Sequence, residues 1–331
     1  MRNDDPSLEA LLASLNDPDT PVRAALFYRL SEPLPEDLAT FQATLPTMPV
    51  ESKRLLFSRL ADISEVSFEL DFTAVAVFAL DDDDAEVRQY AVETLWYQHD
   101  PSLMRRFITL LESDESEGVR AAAATALGRF VLAGEFEEIE QEIAKEAEEV
   151  LLGVCHAEDT PNEVHRRALE SIAFSSRKEV LPLIEKAAKH TNVKMRASAL
   201  FAMGRNADRR WAPQVLKALD NPEPELRYEA TRAVGELTLT EAIPRLIELL
   251  DEPDREIKEI AIWSLGEIGG EEAQRTLLHL ANTEDSAYML EVIEDALNMA
   301  ALATGDFAAF ILSSPDEDDF FYDIDDGDME D

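Results

Sequence analysis

Apart from carboxylates, the chain holds few side chains able to do acid–base, nucleophilic or metal chemistry. Its 331 residues include five histidines, His99, His156, His165, His190 and His279, and one cysteine, Cys155. Cys155 next to His156 is the one adjacent thiol–imidazole pair. Neighbouring residues on a helix point to different sides, so the pair predicts a buried thiol rather than an activated one. One cysteine excludes an intramolecular disulfide and a Cys-based zinc site, and suits a reducing compartment. The sequence contains no H-E-x-x-H, no Gly-rich phosphate loop and no nucleophile elbow. Carboxylates number 70 against 30 Lys and Arg, and at that density paired acids say nothing about general acid–base work. No catalytic residue, metal site or cofactor is expected.

The net charge of −40 predicts repulsion from nucleic acid and from anionic membrane surfaces. Met1 to Pro6 has no apolar core of a signal segment, and no run approaches about 18 apolar residues. The expectation is a soluble cytoplasmic chain whose partner is another protein or a peptide. Lys is scarce, 8 against 22 Arg, a surface that a high-salt cytoplasm also produces. One stretch departs from the acidic background: residues 165–217 carry twelve Lys and Arg against Glu170, Glu179, Glu185 and Asp208, a local +8 that leaves −48 elsewhere.

The elements that position these residues follow a 31-residue interval. Pro182, Pro213 and Pro244 keep it, as do Arg196, Arg227 and Lys258, and Gly204, Gly235 and Gly266. A period of roughly 20 to 50 residues marks a solenoid, in which each unit hides its apolar face by stacking on its neighbours. Within a unit, Pro244 to Leu250 reads as a first helix, Asp251 to Asp254 as a Pro-containing turn, and Glu256 to Ile268 as a second helix stopped by Gly269 and Gly270. The order I-P-x-L-I-x-L-L-D-x-P-D-x-x-I-K-x-x-A-x-x-x-L-G-x-I-G resembles the short HEAT-like repeats of phycobilisome lyases. The resemblance implies an all-α solenoid of about nine helical hairpins whose second helices line the inner surface. It also implies an alternative function, bilin lyase or lyase-like chromophore chaperone. The His-Glu pairs of HEAT-type di-iron hydroxylases are missing, since the five histidines are followed by Asp, Ala, Arg, Thr and Leu.

In chain order, the units begin with helices at Ser7 to Leu15 and Pro21 to Leu30. Then come Glu36 to Leu45 with Glu51 to Ile63, Phe68 to Leu80 with the helix holding Val87 to Leu95, and Leu103 to Leu111 with Val119 to Leu127, closed by Gly128. A surplus at 135–149, eight Glu and one Lys, predicts a lengthened first helix in the fifth unit. Regular units occupy 155–300, the ninth being a degenerate cap, and the solenoid is read over 1–314. Residues 315–331 hold ten acids, no base and the cluster Phe320, Phe321 and Tyr322; that composition predicts a disordered tail able to contact the basic belt 165–217.

The recurring Arg or Lys at the start of each second helix is predicted to bridge to the turn or to the carbonyl ends of a first helix. Counting from it, positions −1, +3, +4 and +7 carry the apolar face in units five to eight, and +1, +5 and +9 the opposite stripe. That stripe brings Arg166, Phe201, Arg205, Tyr228, Arg232 and Trp263 to one side. Aromatics and Arg dominate protein-binding hot spots, so the expected function is a non-catalytic scaffold or adaptor gripping a partner on the inner face.

Overall fold

In the computed structural model, residues 7–17, 23–67 and 69–304 are described; they form eighteen α-helices and three short 3-10 turns, with no strand among them. Successive helices pair as hairpins: α1 (Leu8–Ser14) with α2 (Ala24–Leu30), α3 (Pro35–Thr44) with α4 (Val50–Val66), and α5 (Thr73–Ala79) with α6 (Ala85–Thr94). Next come α7 (Pro101–Ser113) with α8 (Glu117–Glu135), α9 (Gln141–His156) with α10 (Asn162–Ile172), and α11 (Val180–Ala187) with α12 (Val193–Arg205). The last three pair α13 (Ala212–Ala218) with α14 (Pro224–Glu236), α15 (Ile243–Leu249) with α16 (Arg255–Ile268), and α17 (Gly270–Ala281) with α18 (Ala287–Thr304). These nine hairpins are the all-α solenoid architecture that the 31-residue interval predicts. The chain divides into two compact units, Met1–Ala202 and Met203–Asp331.

Local chemistry sets the hairpin ends. The side chains of Asp84, Asp100, Ser116 and Asp254 accept from backbone N–H groups in the first turns of α6, α7, α8 and α16, satisfying donors that have no partner inside the helix. Beyond the second helices, Ala207, Thr238 and Gly269 adopt φ of 56°, 48° and 64°, a left-handed stop that also recurs every 31 residues. The helix read over Phe68 to Leu80 is shorter, Thr73–Ala79. The Asp71 carboxylate accepts from the Thr73 N–H at 2.8 Å, and Asp71 is held to the turn after α2 by bonds with Glu32 and Ser31, which keeps it out of the helix. Residues 69–72 are accordingly not helical.

In the first unit α4, α6, α8 and α10 pack in succession, and in the second α14, α16 and α18. Leu226, Ala230 and Val234 on α14, and Ile257, Ala261, Ile262 and Leu265 on α16, are buried as the apolar register requires. Thr231, at +4, is the polar exception; it is fully buried and gives its hydroxyl to the Arg227 carbonyl at 2.7 Å.

Gly128 does not close its helix: α8 continues to Glu135. It sits where α8 crosses α10, and a Cβ there would come within 2.8 Å of Ser171. Gly266 plays the same part, since a Cβ would lie 2.8 Å from the Ala296 carbonyl oxygen and 2.9 Å from its Cα. The surplus near 135–149 is shared between the extended α8 and α9, the longest first helix among the described residues.

Two substitutions test these backbone constraints. Gly266→Ala pushes α16 off α18 and is expected to lower stability by about 1–3 kcal/mol in urea unfolding, as overpacking does. Thr238→Gly relieves a β-branched residue held at positive φ and is expected to raise stability by about 1 kcal/mol. An unchanged midpoint in either variant contradicts the corresponding constraint.

Candidate protein-binding face

The basic residues that open the second helices are held inside the fold. Arg88 gives Nη1 to the carbonyls of Asp82 and Asp83 at 2.9 and 3.1 Å, and both Nε and Nη2 to Asp114, each at 2.8 Å. Arg196 and Arg227 donate in the same way to the carbonyls of His190 and Thr191 and of Asn221 and Pro222. Arg120 reaches the Leu111 carbonyl at 3.0 Å. The expected bridge to the turn and to first-helix carbonyls is therefore present.

The stripe at +1, +5 and +9 is polar, half-buried and internally paired. In the first unit Arg166 donates Nε to the Lys194 carbonyl at 3.1 Å and to Ser198 Oγ at 2.9 Å, and Nη1 to Glu163 at 2.7 Å. It thereby ties α10 to α12, with 12% of its side chain exposed. Glu170 is buried and accepts from Ser198 and Arg167. Phe201 is half-buried, while Ala197 is covered. Burial raises the pKa of Glu93, at +5 on α6, above the ordinary carboxylate value.

In the second unit Arg205 and Arg232 converge on Glu236, at 3.2 and 3.0 Å. The Glu236 carboxylate lies against Gly204, whose missing Cβ leaves room for it. Burial raises its pKa although both guanidinium groups oppose the shift, and burial also depresses the pKa of Arg205. Tyr228 is half-buried, its pKa raised by burial and by Glu229. Trp263 is half-buried with its ring against α14, Cζ3 lying 2.9 Å from where a Gly235 Cβ would stand. The ring is thus used in packing at Cζ3 while part of the side chain meets solvent. Glu267, one turn on, has no cation beside it, and burial and Glu236 raise its pKa.

Three exposed apolar residues lie on α18 outside the stripe: Tyr288, Met299 and Leu302, 49%, 41% and 49% exposed. Met289 stands at the key position of the ninth hairpin, so the stripe there falls on Leu290, Glu294 and Asn298; the spacing of the three with Glu291 and Asp295 marks a different side of α18. Arg255 stacks over the Tyr288 ring at 4.3 Å, and the Tyr288 hydroxyl faces Glu259 at 3.4 Å.

The basic belt is largely self-neutralised at its arginines, with Arg177 on Glu148, Glu149 and Glu179, Arg209 on Glu241 and Arg210 on Asp208. Lys178, Lys186, Lys189 and Lys194 stand exposed around α11. Phe320, Phe321 and Tyr322 lie outside the described residues, as do residues 305–314. Cys155 is 1% exposed and burial pushes its thiol pKa up to about 12, which removes it as a nucleophile. No group of three or more His, Cys, Asp or Glu that could hold a metal ion occurs among the described residues. None of their helices is long and apolar enough to cross a membrane.

Stacked helical hairpins with a polar, half-buried face on the second helices define the class of α-helical repeat proteins. The family model for HEAT repeats matches residues 74–151 and 212–298, and the chain is a HEAT-repeat protein. No curated relative matches its sequence. Among solved structures it is similar to the CpcE–CpcF complex of phycocyanin lyase from Nostoc sp. PCC7120, at 18% identity over 69% of this chain and 94% of that one, TM-score 0.45. It is similar also to importin beta, at 16% identity over 92% and 46% of the two chains, TM-score 0.44. Human deoxyhypusine hydroxylase is 17% identical over 89% and 96%, TM-score 0.34.

His99 acts in packing, its ring edge-on to Phe130. Arg129 Nε donates to His99 Nε2 at 2.8 Å, which requires a neutral ring. Burial, then Arg129, lowers the His99 pKa below 6.5. A depressed folded-state pKa contributes stability that is fully present above the unfolded value and lost as pH falls below it. The melting-temperature gap between the native chain and His99→Gln is expected to narrow from about pH 7.5 to about pH 5.5. A constant gap contradicts the neutral-ring contact.

Proposed function

We propose that the protein is a non-catalytic interaction scaffold that binds a partner protein on the stripe of its second helices. The observation that carries this reading is Trp263: a large aromatic at a repeat-specific position, with Cζ3 packed close to Gly235 and the side chain only half-buried. Tyr228, one hairpin earlier, and Phe201, in the first unit, are likewise half-buried. Large, rigid aromatics of this kind bury much area on binding at low entropic cost. In the second unit Arg205 and Arg232, both held by Glu236, lie on the same stripe as already ordered cations; in the first, Arg166 is held by Glu163 and Glu170. Pre-ordering lowers the cost of closing an interface around them.

The paired substitution Trp263→Ala and Tyr228→Ala tests the reading. Proteins retained by the immobilised native chain, identified by mass spectrometry, are expected to lose about 2 kcal/mol or more of binding to the variant, measured by calorimetry with the purified partner. Circular dichroism at the assay temperature should remain native. Undiminished binding together with a large fall in melting temperature makes both residues packing elements and refutes the reading.

A further inference from the structure

The open side of α18 repeats at three- and four-residue spacing as Tyr288, Glu291, Asp295, Met299 and Leu302, all exposed. A helix face that only meets solvent is served by polar and charged side chains. Here three large apolar groups interleave with two carboxylates, which is the pattern of a surface with a complementary helix or extended segment to cover it. The adjacent helix α16 packs directly on α18, Gly266 against Ala296, and carries Trp263 and Glu267 on its own stripe.

The sign of the occupant follows from the charges of residues 203–304, which comprise 21 acids and 10 bases. Among the described residues nine of those bases hold an acid of the same unit within 4.0 Å; Lys217 is the remaining one. Nine of the ten cations of the unit are therefore engaged, while among the described residues Glu267, Glu291 and Asp295 form none of these ion pairs. We propose that the α18 face binds a basic amphipathic segment of a partner protein, with apolar side chains seated on Met299, Leu302 and the part of Tyr288 that Arg255 leaves open, and Lys or Arg meeting Glu291 and Asp295. This inference rests on the scaffold reading and names the chemistry of its partner.

The test uses the full chain and two fluorescein-labelled amphipathic peptides of about 14 residues, long enough for four helical turns. One carries Leu and Lys; in the other every Lys is Glu. Anisotropy titration is expected to show saturable binding of the basic peptide, weakening with salt, and none of the acidic one. Glu291→Lys with Asp295→Lys is expected to weaken binding about tenfold or more, and Met299→Gln with Leu302→Gln to do likewise. Glu271→Lys with Glu272→Lys, the same charge change on exposed α17, should leave it within about twofold. Equal losses in the α17 and α18 charge variants, or equal binding of the two peptides, overturn the proposal. Peptide binding blind to the α18 changes, with partner capture still lost on Trp263→Ala and Tyr228→Ala, defeats this inference alone. Capture that survives those two substitutions defeats the scaffold reading beneath it.

Discussion

A cation at the start of a second helix ties two turns at once, and the regular spacing of the chain depends on it. Arg88 satisfies the carbonyls of its own turn at Asp82 and Asp83 and grips Asp114 in the turn of the next hairpin. Arg227 joins Asn221 and Pro222 to Glu252, and Lys258 reaches Glu284 at 3.3 Å. Arg54 makes the corresponding pair with Asp84, which also caps α6 through the Val87 N–H. The same carboxylate thus starts one helix and receives the previous hairpin. With side chains only 10% and 6% exposed, the Arg88–Asp114 pair is removed from water, and losing one partner would strand the other as an uncompensated charge. A hairpin displaced along the stack would lose the turn carbonyls and the acid together, so the interaction specifies register as well as adhesion.

Small residues determine how near consecutive second helices come, and that distance shapes the outward stripe. Gly235 and Gly266 bring α14 to α16 and α16 to α18 until backbone atoms nearly touch. Side chains flanking such a crossing have only a shallow groove to occupy. Trp263 fills part of the groove over Gly235 and remains half-exposed. Whether an aromatic on this stripe is core or contact surface is therefore a matter of degree, set by the same glycine that lets the helices approach.

The hairpin architecture was legible in the sequence because Pro, Arg and Gly at a constant interval report three separate constraints: helix start, turn bridge and helix crossing. The bridging role of the Arg was legible too, since its distance from the acidic turn matches one and a half to two helical turns. The end of α8 was not, because glycine reads equally as a stop and as a crossing residue. Only the position of Ser171 on α10 distinguishes the two at Gly128. The pairing of Glu236 with Arg205 and Arg232 was hidden for a different reason: it needs the side-by-side placement of α14 and the end of α12, and the space left at Gly204. The open side of α18 went unread because Tyr288, Met299 and Leu302 lie off the +1, +5 and +9 positions counted from Met289, the residue at the key position there.

Electrostatics connect the interior of the second unit to its surface. Burial makes a charged Glu236 costly, as its raised pKa records, and two arginines are committed to offset that cost. Each cation held in this way, by a turn or by a buried acid, is withdrawn from the exterior, where carboxylates then stand uncompensated. The acidic surface is in this sense a consequence of how the hairpins are joined: the bases are drawn into the bridges and the surplus acids remain outside. Such a surface opposes association with anionic molecules and favours encounter with cationic ones. Apolar side chains set among those acids on α18 restrict that general attraction to ligands that can place hydrophobic and basic groups alternately along one face.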